Sequence, residues 1–123
     1  MGKPITQAEG EVKKVVAFCN YYGSEFKEPQ PRELKTTTDK KGAYQKYLPT
    51  GTVYLIVPFN FPFLSIFKSA LPNLLLGNVV LSKSSSTCPM VGKLTEECFM
   101  AAGFSNGEYQ NVLTNYKQLD LIL

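Results

Sequence analysis

Histidine and tryptophan are both absent from this chain, and the missing histidine excludes more. Without it there is no imidazole general base and no histidine metal ligand, so no metal site is expected. Cysteine is sparse. Cys19, Cys88 and Cys98 are odd in number and far apart, with no C-x-x-C pair. Reduced thiols in an intracellular protein, cytoplasmic or mitochondrial, are the expectation. No charged leader followed by an apolar run opens the chain, although a processed organellar protein would look the same. A strong charge balance is lacking too. The formal net charge is +3, with lysines scattered among acids, so no basic stripe marks a nucleic-acid partner. Between Lys46 and Lys68 charge is missing altogether, over a length that a membrane span would need. Pro49, Gly51, Pro58, Asn60 and Pro62 interrupt that run. It reads as a buried strand followed by a buried helix, and no transmembrane span is expected.

What is present fits one domain of 123 residues. Thr6-x-x-Glu9 has the spacing of a capping box. Ala8, Val12, Val15, Val16, Cys19 and Tyr22 follow at helical spacing, predicting an amphipathic helix from about Thr6 to Tyr22, weakened by Gly10 and stopped by Gly23. Glu28-Pro29-Gln30-Pro31 cannot continue a helix and reads as a linker. Leu34 to Thr38, the turn residues Asp39 to Gly42, and Ala43 to Leu48 predict a polar β-hairpin with little core of its own. From Thr52 the pattern becomes α/β. Val53 to Val57 is a buried strand, and Pro62 opens a helix with Phe63, Ile66, Phe67, Ala70, Leu71, Leu74 and Leu75 on its apolar face. Pro72 should kink that helix and Gly77 end it. Asn78 to Leu81 is the second strand. Thr87 and Pro89 open a third helix with Val91, Leu94, Cys98 and Ala101 inward, closed by Gly103. Tyr109 to Leu113 is the third strand, and Tyr116 to Leu123 begins another helix. The expected architecture is α/β, an incomplete Rossmann-like parallel βαβαβ sheet preceded by the amphipathic helix and the hairpin. Its parts are residues 1–28, 29–51 and 52–123.

Parallel α/β sheets place ligands outside the carboxyl ends of their strands. The elbow Pro58-Phe59-Asn60-Phe61-Pro62 lies at one such end, and Lys83 at another. Pro58-Phe59-Asn60-Phe61-Pro62 followed by Gly77-Asn78-x-Val80-x-x-Lys83 resembles the first βαβ unit of the cofactor domain of NAD(P)-dependent aldehyde dehydrogenases. Met1-Gly2-Lys3-Pro4 with Ala8-x-Gly10-Glu11-Val12 resembles the family's segment ahead of that domain. Leu94-x-x-Glu97, Ala102-Gly103-Phe104 and Gly107-x-x-x-Asn111-Val112 resemble the next helix and strand. The resemblance covers nearly the whole chain.

It implies roles for several residues. Asn60 matches the family's oxyanion-hole asparagine, which binds the aldehyde oxygen during attack; the plainer alternative is an asparagine that ties the elbow to nearby backbone. Lys83 matches a lysine that contacts the adenosine ribose of the cofactor, against the alternative of a lysine emerging into solvent. Ile56, Val57, Pro58 and Phe59 match positions lining the cofactor groove, and would otherwise be core. Where many members carry a ribose-gripping glutamate, this chain has Ser86, after Ser84 and Ser85. That change admits a 2′-phosphate and favours NADP over NAD, or else reflects a cofactor site no longer under selection.

The family's catalytic cysteine, general-base glutamate and phosphate-side glycine turn match nothing in this sequence. Cys19 and Cys98 fall on helix faces expected to be buried, and only Cys88, at a helix start, has the setting for a lowered thiol pKa. The resemblance therefore implies a truncated aldehyde dehydrogenase-like protein, derived from enzymes that oxidise an aldehyde with NAD or NADP and inactive as this chain alone. The alternative is a non-catalytic accessory subunit of a larger assembly, and a free nucleotide-binding module ranks last. Either of the first two expects protein partners: the rest of an enzyme, a second copy, or a complex covering the open sheet edge.

Overall fold

A computed structural model describes residues 1–27, 29–34, 43–115 and 117–118. The order of elements is α1 (Ile5–Glu25), β1 (Arg32–Leu34), β2 (Ala43–Gln45), β3 (Thr52–Ile56), α2 (Pro62–Leu75), β4 (Val79–Lys83), α3 (Pro89–Ala101) and β5 (Tyr109–Asn111). Strands β3, β4 and β5 form a parallel sheet in that order, with Ile56 opposite Lys83 and Ser82 opposite Asn111. This is the expected βαβαβ unit. Sequential parallel strands joined by right-handed crossovers put both connecting helices over one face. Accordingly α2 packs on β3, β4 and α3, while α3 packs on β5, and α1 lies across α2.

Alternation along the strands decides what the helices cover. Val80 and Ser82 are fully buried, Ser84 nearly so, and Tyr109 joins them from β5. Against this face α2 buries Ile66, Phe67, Ala70, Leu71 and Leu74, the stripe its sequence predicts. Phe99 of α3 is the aromatic centre. Its ring stacks on Phe67 at 5.0 Å between centroids and meets Tyr109 at 4.9 Å and Phe104 at 5.3 Å. Pro62 starts α2 as expected, Pro72 sits inside it, and Gly77, at φ 82°, follows its end. Asn78 then ties the two strand starts together. Its side-chain oxygen accepts from the Thr50 amide at 2.6 Å and the Gly51 amide at 3.0 Å.

Several expectations are corrected. The Thr6–Glu9 capping box does not form, because α1 begins a residue earlier, at Ile5, behind Pro4. The Pro4 carbonyl takes the Gln7 and Ala8 amides at 3.0 and 3.1 Å. Gly23 does not stop α1. The helix runs on to Glu25, with Tyr22 packed between Phe18 and Phe26. The inward line of α1 contains Glu11 and Val15, while Val12 and Val16 are exposed. In α3 the inward residues are Gly92, Thr95 and Phe99, whereas Leu94, Cys98 and Ala101 are exposed. Of the apolar stripe read from that sequence, Val91 packs against the core, Cys98 borders a groove beside α1, and Leu94 and Ala101 face outward. Small residues were needed where the helix crosses the sheet. The hairpin is antiparallel, pairing Arg32 with Gln45 and Leu34 with Ala43. Its expected continuation over 35–42, like the helix expected from Tyr116 to Leu123, lies outside the described residues.

Candidate active-site and cofactor cleft

Beyond the carboxyl ends of β4 and β5 lies a cleft of about 340 Å³. It is lined by Lys83, Ser84, Ser86, Pro89, Leu113, Thr114 and Asn115. The topology makes it: β4 is central, so the segments leaving it and β5 diverge around the start of α3. Lys83, the last residue of β4, is 3 % exposed, and its ammonium reaches the Ser84 carbonyl at 3.5 Å. Ser84 is buried too and donates to the Asn111 side-chain oxygen at 2.8 Å. The Asn111 amide in turn donates to the Glu96 carboxylate at 3.1 Å. Gly92 permits this arrangement. A Cβ there would lie 1.9 Å from Asn111 Oδ1 and 2.1 Å from Ser84 Oγ.

The elbow sits beside this cleft. Ile56 pairs with Lys83, and the Val57 amide donates to the Lys83 carbonyl at 3.1 Å. Of the residues matched to the cofactor groove, Val57 is buried, while Ile56, Pro58 and Phe59 are exposed. Lys83 and Ser86 share one cleft; Asn60 does not line it and lies on the exposed elbow. The elbow is held from the other side. The Lys3 ammonium donates to the Asn60 carbonyl at 3.1 Å, lies 4.6 Å from the Phe61 ring centre, and is paired with the Glu11 carboxylate. The other Glu11 oxygen accepts from the Leu64 amide at 3.0 Å, in the first turn of α2.

Sequence reasoning missed Ser84, Leu113, Thr114, Asn115, Gly92, Lys3 and Glu11. The cleft residues after β5 were within reach, because any three-stranded parallel sheet brings adjacent strand ends together. Lys3 and Glu11 stand in the motif that resembles the family's leading segment, but nothing local gives either a role.

The thiols have different settings from those expected. Burial pushes the Cys88 thiol up, and the chain's amino group only partly opposes this, so the expected activation at the start of α3 is not found. Burial and the nearby Cys98 raise the Cys19 thiol. Cys98 itself is exposed.

Residues 1–120 match the family model described as the aldehyde dehydrogenase family. A Synechocystis protein named "Probable succinate-semialdehyde dehydrogenase [NADP(+)]" is 38% identical over 117 residues, which is 95% of this chain and 26% of that protein. The succinate-semialdehyde dehydrogenase [NADP(+)] of Deinococcus radiodurans is 34% identical over 124 residues, covering 100% of this chain and 26% of that one. Among solved structures, succinic semialdehyde dehydrogenase from Streptococcus pyogenes, in complex with NADP+, superimposes with a TM-score of 0.86 at 32% identity. That match covers 99% of this chain and 27% of the other. The chain thus spans about a quarter of the relatives' length. With its βαβαβ sheet, its Pro-Phe-Asn-Phe-Pro elbow and its strand-end lysine, the chain belongs to the aldehyde dehydrogenase family.

Proposed function

We propose that the chain supplies one wall of an aldehyde dehydrogenase site: the adenosine-ribose end of an NADP pocket and an oxyanion donor for an aldehyde oxidised to a carboxylic acid. The observation that carries this reading is the cleft at the ends of β4 and β5, where Lys83 and Ser86 share a wall that, among the described residues, has no carboxylate. A cationic side chain with hydroxyls suits a 2′-phosphate, and a neighbouring acid would repel one. The volume suits a ribose and its phosphate, one end of a dinucleotide. Bound nicotinamide would supply the hydride acceptor. Within this chain, Lys83 and Ser86 would hold the 2′-phosphate, and Val57 and Ile56 would fix the floor beside them. Asn60 would donate to the oxygen of the substrate as charge develops there.

Turnover also needs a nucleophile and a base. None of the three thiols suits the first task, since Cys19 and Cys88 are raised by burial and Cys98 lies on the outer face of α3. We therefore expect this chain alone to be inactive. The accessory-subunit reading has no feature of the cleft in its favour.

Calorimetric titration tests the cofactor reading. NADP and adenosine 2′,5′-bisphosphate should bind the chain more tightly than NAD, and Lys83→Ala should abolish the difference. Equal binding of NADP and NAD, or no change in Lys83→Ala, would sink it. The oxyanion reading is tested by placing the chain in the matching quarter of the Streptococcus pyogenes enzyme. There Asn60→Ala should lower kcat by about 10²–10³-fold, and unchanged kcat would refute the role.

A further inference from the structure

We infer that Lys3 and Glu11 are positioning residues for the elbow, fixing the oxyanion asparagine from α1 and the segment before it, neither of which lines the cleft. The inference deepens the proposed function and takes its meaning from the role given there to Asn60. Four contacts tie α1 and the segment before it to the elbow and the first turn of α2. Glu11 accepts from Leu64, Glu11 pairs with Lys3, Lys3 donates to the Asn60 carbonyl, and Lys3 rests on the Phe61 ring. They bracket the elbow: one carboxylate oxygen holds the turn after it, and one ammonium holds its central residue.

The buried state of the pair argues that position, rather than stability, is its purpose. The Glu11 side chain is 3% exposed and that of Lys3 is 10%. Desolvating two charges costs about what their attraction returns, unless further hydrogen bonds satisfy both, and apolar replacements often serve stability equally well. Here the further contacts among the described residues go to the elbow or to the first turn of α2. The segment also lacks its own means of being held. Phe61, at the cap position of α2, has no side-chain oxygen, and no side-chain cap bond forms there. Glu11 supplies that cap from another helix, with a charge matched to the positive helix end.

Nuclear magnetic resonance of the whole chain tests this directly, because it reads elbow geometry without turnover. In Lys3→Met, which leaves the Glu11–Leu64 bond available, the backbone and side-chain amide peaks of Asn60 should move from their wild-type positions. The Val80 and Val112 amides, held in the sheet, should stay in place. Lys3→Arg, which keeps the charge and the donor, should restore the Asn60 peaks. In Glu11→Gln the same Asn60 shifts should appear, and hydrogen exchange at the Leu64 amide should quicken by roughly tenfold or more. Unmoved Asn60 peaks in a folded Lys3→Met chain overturn the inference and leave Glu11 a simple helix cap. Arginine shifting the peaks as far as methionine overturns it as well. If Glu11→Gln does not fold, the two lysine variants decide the matter. A failure of the oxyanion role would instead show as normal kcat in the Asn60→Ala chimera, with these peaks behaving as described.

Discussion

Replacing Gly92 with alanine pits two well-understood effects against each other. In an open helix position alanine should stabilise by about 1 kcal/mol over glycine. At Gly92 the new methyl would lie 1.9 Å from Asn111 Oδ1 and 2.1 Å from Ser84 Oγ, so both side chains must move. Overpacking of this kind costs about 1–3 kcal/mol. The 2.8 Å Ser84–Asn111 hydrogen bond would be lost too, for about 0.5–1.5 kcal/mol. The clash therefore wins, by a net of roughly 0.5–3.5 kcal/mol. For a chain of this size that is a fall in Tm of roughly 2–14 °C. Thermal unfolding followed by circular dichroism measures it, with Gly10→Ala as the control. A Cβ at Gly10 meets nothing within 4 Å, so alanine there should raise Tm. A Gly92→Ala chain as stable as wild type would refute the reasoning, for it would mean the α3 approach to the sheet is loose. Since Ser84 lines the cleft, Gly92→Ala should also weaken binding of adenosine 2′,5′-bisphosphate.

Two further outcomes follow from the far end of the sheet and from its core. Asn78→Ala leaves the Thr50 and Gly51 amides without their acceptor, at a cost of about 1–3 kcal/mol measured by urea unfolding, with cofactor affinity unaffected; unchanged stability would mean water replaces the side chain freely. Burial pushes the Tyr109 hydroxyl up to about 12 from an ordinary value of 10.0, with the Ser82 hydroxyl opposing and the Glu96 carboxylate adding to the shift. A folded-state pKa raised above the unfolded one contributes stability that is complete below the unfolded value and lost as pH climbs to the folded one. Up to about 2–3 kcal/mol should disappear between about pH 10 and about pH 12. Tyr109→Phe should flatten that part of the profile, and an equally steep loss in the variant would exclude Tyr109 as its source.

Much of the fold was legible because its signals are local. Val53 to Val57 is a continuous apolar run, Pro62 opens a helix and Gly77 closes it, and each lies within a residue or two of the observed boundary. The faces of α1 and α3 were harder. Hydrophobicity alone cannot tell an inward stripe from one lining an open groove, and the residues that face the sheet in α3 include Gly92 and Thr95, chosen for size rather than polarity. At the cleft, Lys83 was legible from its strand-end position, and Ser86 only through the resemblance to the family. Ser84 was hidden in what reads as a loop signal, although it is the residue that packs. Asn60 was legible as an elbow residue, but not the means by which it is held. A buried carboxylate is satisfied by tertiary partners, and no window along the chain contains both Glu11 and Leu64.

That separation also bears on how the helix after the elbow comes to exist. Most helices carry their start signal next to their first turn, so cap and turn can form together in an unfolded chain. The acceptor for the first turn of α2 lies 53 residues away. Closing a loop of that length costs chain entropy of about 3.5 kcal/mol before the hydrogen bond returns anything. Pro62 can set the backbone angle of the first turn, but cannot secure it. The turn that carries the elbow into α2 is thus completed only once α1 has docked, which makes the amino-terminal helix a condition for the elbow's final shape.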